Sequence, residues 1–342
     1  MRPNVWGNLI RSHLKNVHAK KQSRKGQKQS YIFGDFAAWR ETVFSFKSVF
    51  EIGSRQVLLV VSISLAFSAC GPIWRSPSYY ISYGTINLPS PILTMEEYNL
   101  VIETHPRPYL VRIKNDRGSV LLFGAEHTKK SDDPQVVQIR SEWSAFKPTV
   151  ALVEGRLGFL FRWFSDPVEQ YGESGGVLDL AKKDGIPVFS WEPPMEKEVE
   201  WMLQKYPARR VALLYVLRPY VSNLRHGKPE NPDSYVEEYR EKRTQYNGLE
   251  GTLPSMQAID SIWRADFSAF KDWRETSDEY GWPGYLGDLA SSSNAFRDEH
   301  FARVIIDLVN KGHSVFAVSG SSHAVKLDAA LQAALSPFPA KK

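Results

Sequence analysis

Four short apolar runs, each closed by a conspicuous polar motif, limit this chain to few folds. The runs at 120–123, 150–153, 187–191 and 314–319 end in Gly124-Ala125-Glu126-His127, Glu154-Gly155-Arg156, Glu192-Pro193-Pro194 and Gly320-Ser321-Ser322-His323. Helical patterns separate them: 135–146, 178–183 stopped by Gly185, and 295–311 stopped by Gly312. Apolar strands alternating with helices are the pattern of an α/β fold with a mostly parallel central sheet flanked by helices. A further β-branched run at 109–114, joined through Asn115-Asp116-Arg117-Gly118 to 120–123, predicts a hairpin at its start. Helical patterns at 196–218 and 235–246, then a Trp-rich segment to about 293, predict an α-helical insertion at about 219–292.

Composition matters mainly through its distribution. The 342 residues carry a formal charge of +5, but residues 1–56 alone hold 11 Lys and Arg against Asp35, Glu41 and Glu51. The remainder has 32 basic and 35 acidic residues, so the globular part has no signature for nucleic acid or other polyanions. The basic segment reads as a disordered leader, possible also as a stretch upstream of a later translation start near Arg55. One cysteine, Cys70, excludes an intrachain disulfide and any cysteine-only zinc site.

Residues 57–69, VLLVVSISLAFSA, form an uncharged run of thirteen, shorter than the about 20 that span a bilayer and sized for the core of a secretory signal. Phe67-Ser68-Ala69-Cys70 resembles the lipobox of bacterial lipoproteins, with Phe67 where Leu is preferred. That resemblance implies a lipid on Cys70, a cell-membrane or outer-membrane anchor and a domain outside the cytoplasm. An uncleaved anchor would leave the domain on the same side. Residues 70–100, rich in Pro, Ser and Tyr, are expected to be a tether, and 101–342 the α/β domain.

Ligands of open parallel sheets bind beyond the carboxyl ends of the strands, so the polar endings should gather at one edge. A glycine after a strand permits a sharp turn, and a histidine three residues on can point back over the strand tip. His127 and His323, with the strand-closing carboxylates Glu126, Glu154 and Glu192, are thus suited to a divalent transition metal such as zinc, manganese, cobalt or iron, and a carboxylate outside the ligand set, Glu126 or Glu192, to a general base. Arg297 lies four residues before Phe301 on the apolar stripe Phe301, Val304, Ile305 and Leu308, so it should face the same edge and serve a substrate anion or oxyanion. His105, His226, His300 and His313 have no such placement. Gly172-Glu173-Ser174-Gly175-Gly176 fits G-x-S-x-G, yet no strand pattern precedes it, so it reads as a glycine-rich helix start beside the site. Trp263, Trp273, Tyr280, Trp282 and Tyr285 read most simply as packing within the insertion.

The paired GAEH and GSSH motifs, the ALVEG strand end, the GES stretch and RDEHFARVIIDLVNKGHSVFAVSGSSH together resemble the TraB/TIKI superfamily, with its ChaN-like and erythromycin-esterase-like relatives. The resemblance runs from Leu110 to Leu327 and is weakest through the insertion. It implies metal-dependent peptide hydrolysis by His127, His323 and Glu154 on the TIKI pattern, and Arg297 matches the helix-start arginine of TraB, followed by Asp298 where many relatives have Asn. The ChaN-like branch implies a haem- or iron-binding lipoprotein without catalysis, and the erythromycin-esterase-like branch ester hydrolysis without an obvious metal. The resulting expectation is a metal-dependent peptidase or esterase on a membrane-anchored lipoprotein, with haem binding or a catalytically silent scaffold as alternatives.

Overall fold

The computed structural model describes residues 73–336 except 83–85, 156, 159, 162–164, 225–226 and 279–280. The basic leader, the apolar run 57–69, Cys70, Arg156, His226 and Tyr280 lie outside the described residues.

The sheet holds five strands: β1 (Tyr109–Lys114), β2 (Ser119–Ala125), β3 (Val150–Val153), β4 (Val188–Ser190) and β5 (Ser314–Gly320), in the order β1-β2-β5-β3-β4. β1 and β2 form the expected hairpin and every other pair is parallel. Asn115 closes the hairpin, its side-chain oxygen accepting from the Arg117 and Gly118 N–H groups at 2.9 Å. Side chains alternate along β2: Leu121 and Phe123 join a core with Ile139, Trp143 and Leu178, whereas Val120 and Leu122 join Phe301, Ile305 and Leu327. Both sheet faces are therefore covered, and this is why the strands read as near-continuous apolar runs.

The first face is covered by α2 (Pro134–Phe146) and α3 (Pro167–Asp184), and the second by α8 (Tyr285–Asn310) and α9 (Ser321–Leu335). Asp133 and Asp166 cap α2 and α3 with their carboxylates, each ahead of a helix-starting proline. α3 begins well before the 178–183 pattern and kinks at Tyr171 and Gly172, where Gly172 takes φ 61°. Glu173 and Ser174 therefore sit on a helix turn, and Ser174 accepts the Glu154 N–H at 3.1 Å.

The helical unit starts earlier than the expected boundary near 219. Its core combines Val199 and Met202 of α4 (Met195–Leu203), Val211 to Val221 of α5 (Ala208–Asn223), Val236 of α6 (Pro232–Arg243), Ile259 and Trp263 of α7 (Met256–Asp266), and the first turns of α8. Pro219, which looked like a boundary, lies inside α5. The segment expected as a tether also docks on the domain. The Tyr80 N–H donates to the Ser190 carbonyl at 3.2 Å and the Ser190 N–H to the Ser78 carbonyl at 2.9 Å, the Tyr80 hydroxyl donates to Asp307 at 2.7 Å, and the Leu93 N–H reaches the Lys326 carbonyl at 3.3 Å. α1 (Met95–Val101) follows, started by a Thr94/Glu97 capping box. Among the described residues, no helix is long and apolar enough to cross a membrane.

Candidate functional site

Parallel pairing sets the strand ends level: Ala125 lies opposite Gly320, and β3 and β4 stop beside them. β5 runs straight into α9, so His323 occupies the first turn of a helix rather than a loop. The G-x-x-H glycines serve a different purpose from the expected turn. Neither takes a positive φ. A Cβ on Gly124 would lie 2.6 Å from Ala324 Cβ, and one on Gly320 would lie 3.1 Å from His127 Nε2. Gly124 lets α9 pack onto the sheet, and Gly320 makes room for the His127 ring.

Around Gly320 the structure gathers His127, Glu154, Glu192, His323 and Arg297. Glu154 follows β3, and its Oε2 accepts the Gly320 N–H at 2.9 Å. Its Oε1 lies 3.4 Å from Arg297 and 3.9 Å from His323 Nε2. Arg297 donates to Glu192 at 2.6 Å and to the Asn294 side-chain oxygen at 3.3 Å. Each imidazole is held from behind at Nδ1: His323 by Asp298, and His127 by Glu173 at 3.5 Å. Glu173 is fixed in turn by the Thr128 N–H, and Asp298 by Lys326. Carboxylates behind two imidazoles set which ring nitrogen faces forward. Trp191 forms the floor, stacked on Phe301 at 4.1 Å, edge-on to His323 at 5.3 Å, with the Arg297 guanidinium 5.4 Å above its ring.

The charges are mutually dependent. Burial pushes the Glu154 carboxyl up, but His323, Arg297, His127 and the Gly320 N–H outweigh it and hold it below the usual carboxylate range. Burial also opposes ionisation of Asp298, and His323 and Lys326 again prevail. The Arg297 guanidinium loses solvation yet is held charged by Glu192 and Glu154, then by Glu198 and Asp298.

Glu126 stands apart. Its Oε1 accepts the Ser321 hydroxyl at 2.7 Å and its Oε2 lies 3.6 Å from Arg107, a half-exposed position at the rim. Of the aromatic set, Trp263 and Trp273 are buried in the core of the helical unit, with Trp282 and Tyr285 packed against it. His105 meets Tyr98 at 3.2 Å and packs beside Tyr109, whereas His313 meets Thr149 at 3.3 Å at the opposite end of the strands.

Several site residues escaped sequence reasoning. Asp298 had a readable signal, since it precedes Phe301, Ala302 and Ile305 by three, four and seven residues on the same inward face as Arg297. Glu173 lies in the glycine-rich stretch expected beside the site but without a role assigned to it, and Lys326 had no signal. A second layer comes from the helical unit: Glu198 accepts from the Tyr215 hydroxyl at 2.8 Å and from Ser293 at 2.5 Å. Arg218 donates to Ser293 at 2.7 Å and to Asn294 at 2.6 Å. Asn294 thus links Arg218 to Arg297.

The donor types fit a divalent transition metal: two imidazoles and a carboxylate around one strand end, each ring backed by an acid. Among the described residues, no three His, Cys, Asp or Glu side chains already stand as a closed cage. His127, with a side chain 52% exposed, is the outermost member of the set. Comparison of the chain with protein-family models, curated proteins and solved structures gave no match.

Proposed function

We propose that this chain is a metal-assisted hydrolase of ester or peptide bonds. One observation carries this: the His127 and His323 rings, each oriented by a buried carboxylate, converge with Glu154 beside a buried, permanently charged arginine. His127, Glu154 and His323 would hold the ion, which when bound supplies Lewis acidity at the sheet edge. Arg297 is placed to steady a developing oxyanion, because Glu154 and Glu192 hold its guanidinium, with a side chain 10% exposed, at the same strand ends. Glu192, with a side chain 26% exposed and held by Arg297 rather than by the backbone, is the carboxylate left to take a proton. Trp191 keeps His323 and Arg297 in register by closing the space beneath both.

The same residues carry the TraB/TIKI resemblance. The lipobox-like stretch extends the proposal to a lipid anchor on Cys70 and a domain outside the cytoplasm, which palmitate labelling of wild type against Cys70→Ser would test.

The central test is metal analysis with a peptidase and esterase screen, wild type beside His127→Ala/His323→Ala, after exposure to zinc, manganese, cobalt and iron. Near-stoichiometric metal and turnover, both lost in the double variant with the fold intact, are the expected outcome. Turnover that survives both substitutions refutes the mechanism.

A further inference from the structure

Behind Asp298, on the side away from His323, residues 88–95 run as a strap along α8. Between strap and helix lies a cavity of about 470 Å³, within the range of small-molecule sites. Leu88, Pro91, Ile92 and Met95 supply an apolar wall, and Asp298, Glu299 and Lys326 the polar side. The strap is anchored rather than loose: Leu93 N–H bonds the Lys326 carbonyl, and Thr94 caps α1.

Lys326 is 3% exposed, a rare position for an ammonium. The ammonium has three donors, and Asp298 is its one acceptor among the described residues. A buried cation with donors to spare calls for an oxygen acceptor, and the local charges decide which kind. Asp298 already neutralises Lys326, and Glu299, paired with Arg303 at 2.6 Å, stands on the same wall. An entering carboxylate would meet two acids, and an ammonium would bring no acceptor. A carbonyl oxygen accepts from Lys326 without adding charge.

We propose that this cavity binds a small neutral acyl molecule, with its chain against the strap and its carbonyl oxygen on Lys326. The site is separate from the hydrolytic edge and does not depend on turnover there. It adjoins that edge through Asp298, which holds Lys326 on one oxygen and His323 on the other.

The test is isothermal titration of the full chain with octanamide, octanoate and octylamine, repeated on Ile92→Trp, which occupies the cavity from the strap while leaving Lys326 and Asp298 unsubstituted. Octanamide should bind saturably and about tenfold more tightly than either charged analogue, a difference of about 1.4 kcal/mol. Ile92→Trp, with its melting temperature checked, should lose that binding. Absence of saturable octanamide binding, equal affinity for all three probes, or undiminished binding by a folded Ile92→Trp each overturns the proposal.

Discussion

His300 offers a direct measure of how much acid this fold tolerates. It lies on α8 with its Nε2 lacking a hydrogen-bond partner. Burial first, then the nearby Arg303, push its pKa from 6.5 down to about 4, against smaller opposing effects from Glu192 and the Tyr80 backbone. The folded state therefore keeps this ring neutral where the unfolded chain takes up a proton. Stability from this group is complete above pH 6.5, falls as pH drops below that value, and levels off below the folded-state pKa of about 4. Each pH unit inside that window removes up to about 1.4 kcal/mol, so the loss is about 2 kcal/mol at pH 5 and about 3 near the lower end. His300→Gln retains a polar side chain that does not titrate. Urea unfolding of both proteins at pH 7.5 and pH 5 isolates the effect, because carboxylates shared by the two cancel. Wild type should lose about 2 kcal/mol more than the variant over that interval. Parallel losses in the two proteins would show that the ring is solvated in the folded state and that its burial is misjudged.

Two substitutions probe the framework of the site. Gly124→Ala places a Cβ 2.6 Å from Ala324 and 3.0 Å from the Tyr109 carbonyl, and overpacking of this kind should cost about 1–3 kcal/mol in thermal or urea unfolding; wild-type stability would mean α9 stands further from β2. Glu198→Gln removes the charge that Tyr215 and Ser293 donate to and that partly balances Arg218, whose own pKa burial and Arg297 push down. A loss of about 3 kcal/mol is expected in urea unfolding, and a loss under about 1 kcal/mol would remove Glu198 from the support of the site.

What could be read from the sequence follows from periodicity. The strands at 120–123, 150–153 and 314–319 were legible because both their faces are buried, leaving near-continuous apolar runs before polar ends, and the edge strand 109–114 because it alternates toward its end, with Val111 and Ile113 buried and Arg112 and Lys114 exposed. Arg297 was legible from its place on a helical stripe, and its partners Glu154 and Glu192 from their positions after strands. The docked segment 73–101 was not, because its Pro, Ser and Tyr composition is equally suited to a solvated linker. Its anchoring combines backbone bonds to Ser190 and Lys326, which leave no mark in side-chain pattern, with scattered side chains such as Tyr80, Ile86, Leu88 and Ile92 that follow no strand or helix period. The helical patterns from 196 on were legible, but the boundary drawn near 219 was late: α4 and α5 share a core with α6 and α7, a grouping set by tertiary contact rather than by any break in sequence. The stretch holding Glu173 was expected beside the site, but its contact with His127 was not legible, because it follows a kink at Tyr171 and Gly172 and local propensity does not indicate where a kinked helix aims a side chain.

The position of β5 bears on how the chain comes into being. The last strand made is the central one, inserted between β2 and β3 and bonded to both. Until residues 314–320 emerge, β2 and β3 have no neighbour to join them, and the halves of the sheet remain unpaired edges. The β1–β2 hairpin and the β3–β4 pair do not need β5, but the five-stranded sheet closes only when residues 314–320 enter between them, a long-range pairing of the slow kind. Strand edges left waiting in this way can pair with other chains, so aggregation during folding is the hazard that this strand order carries.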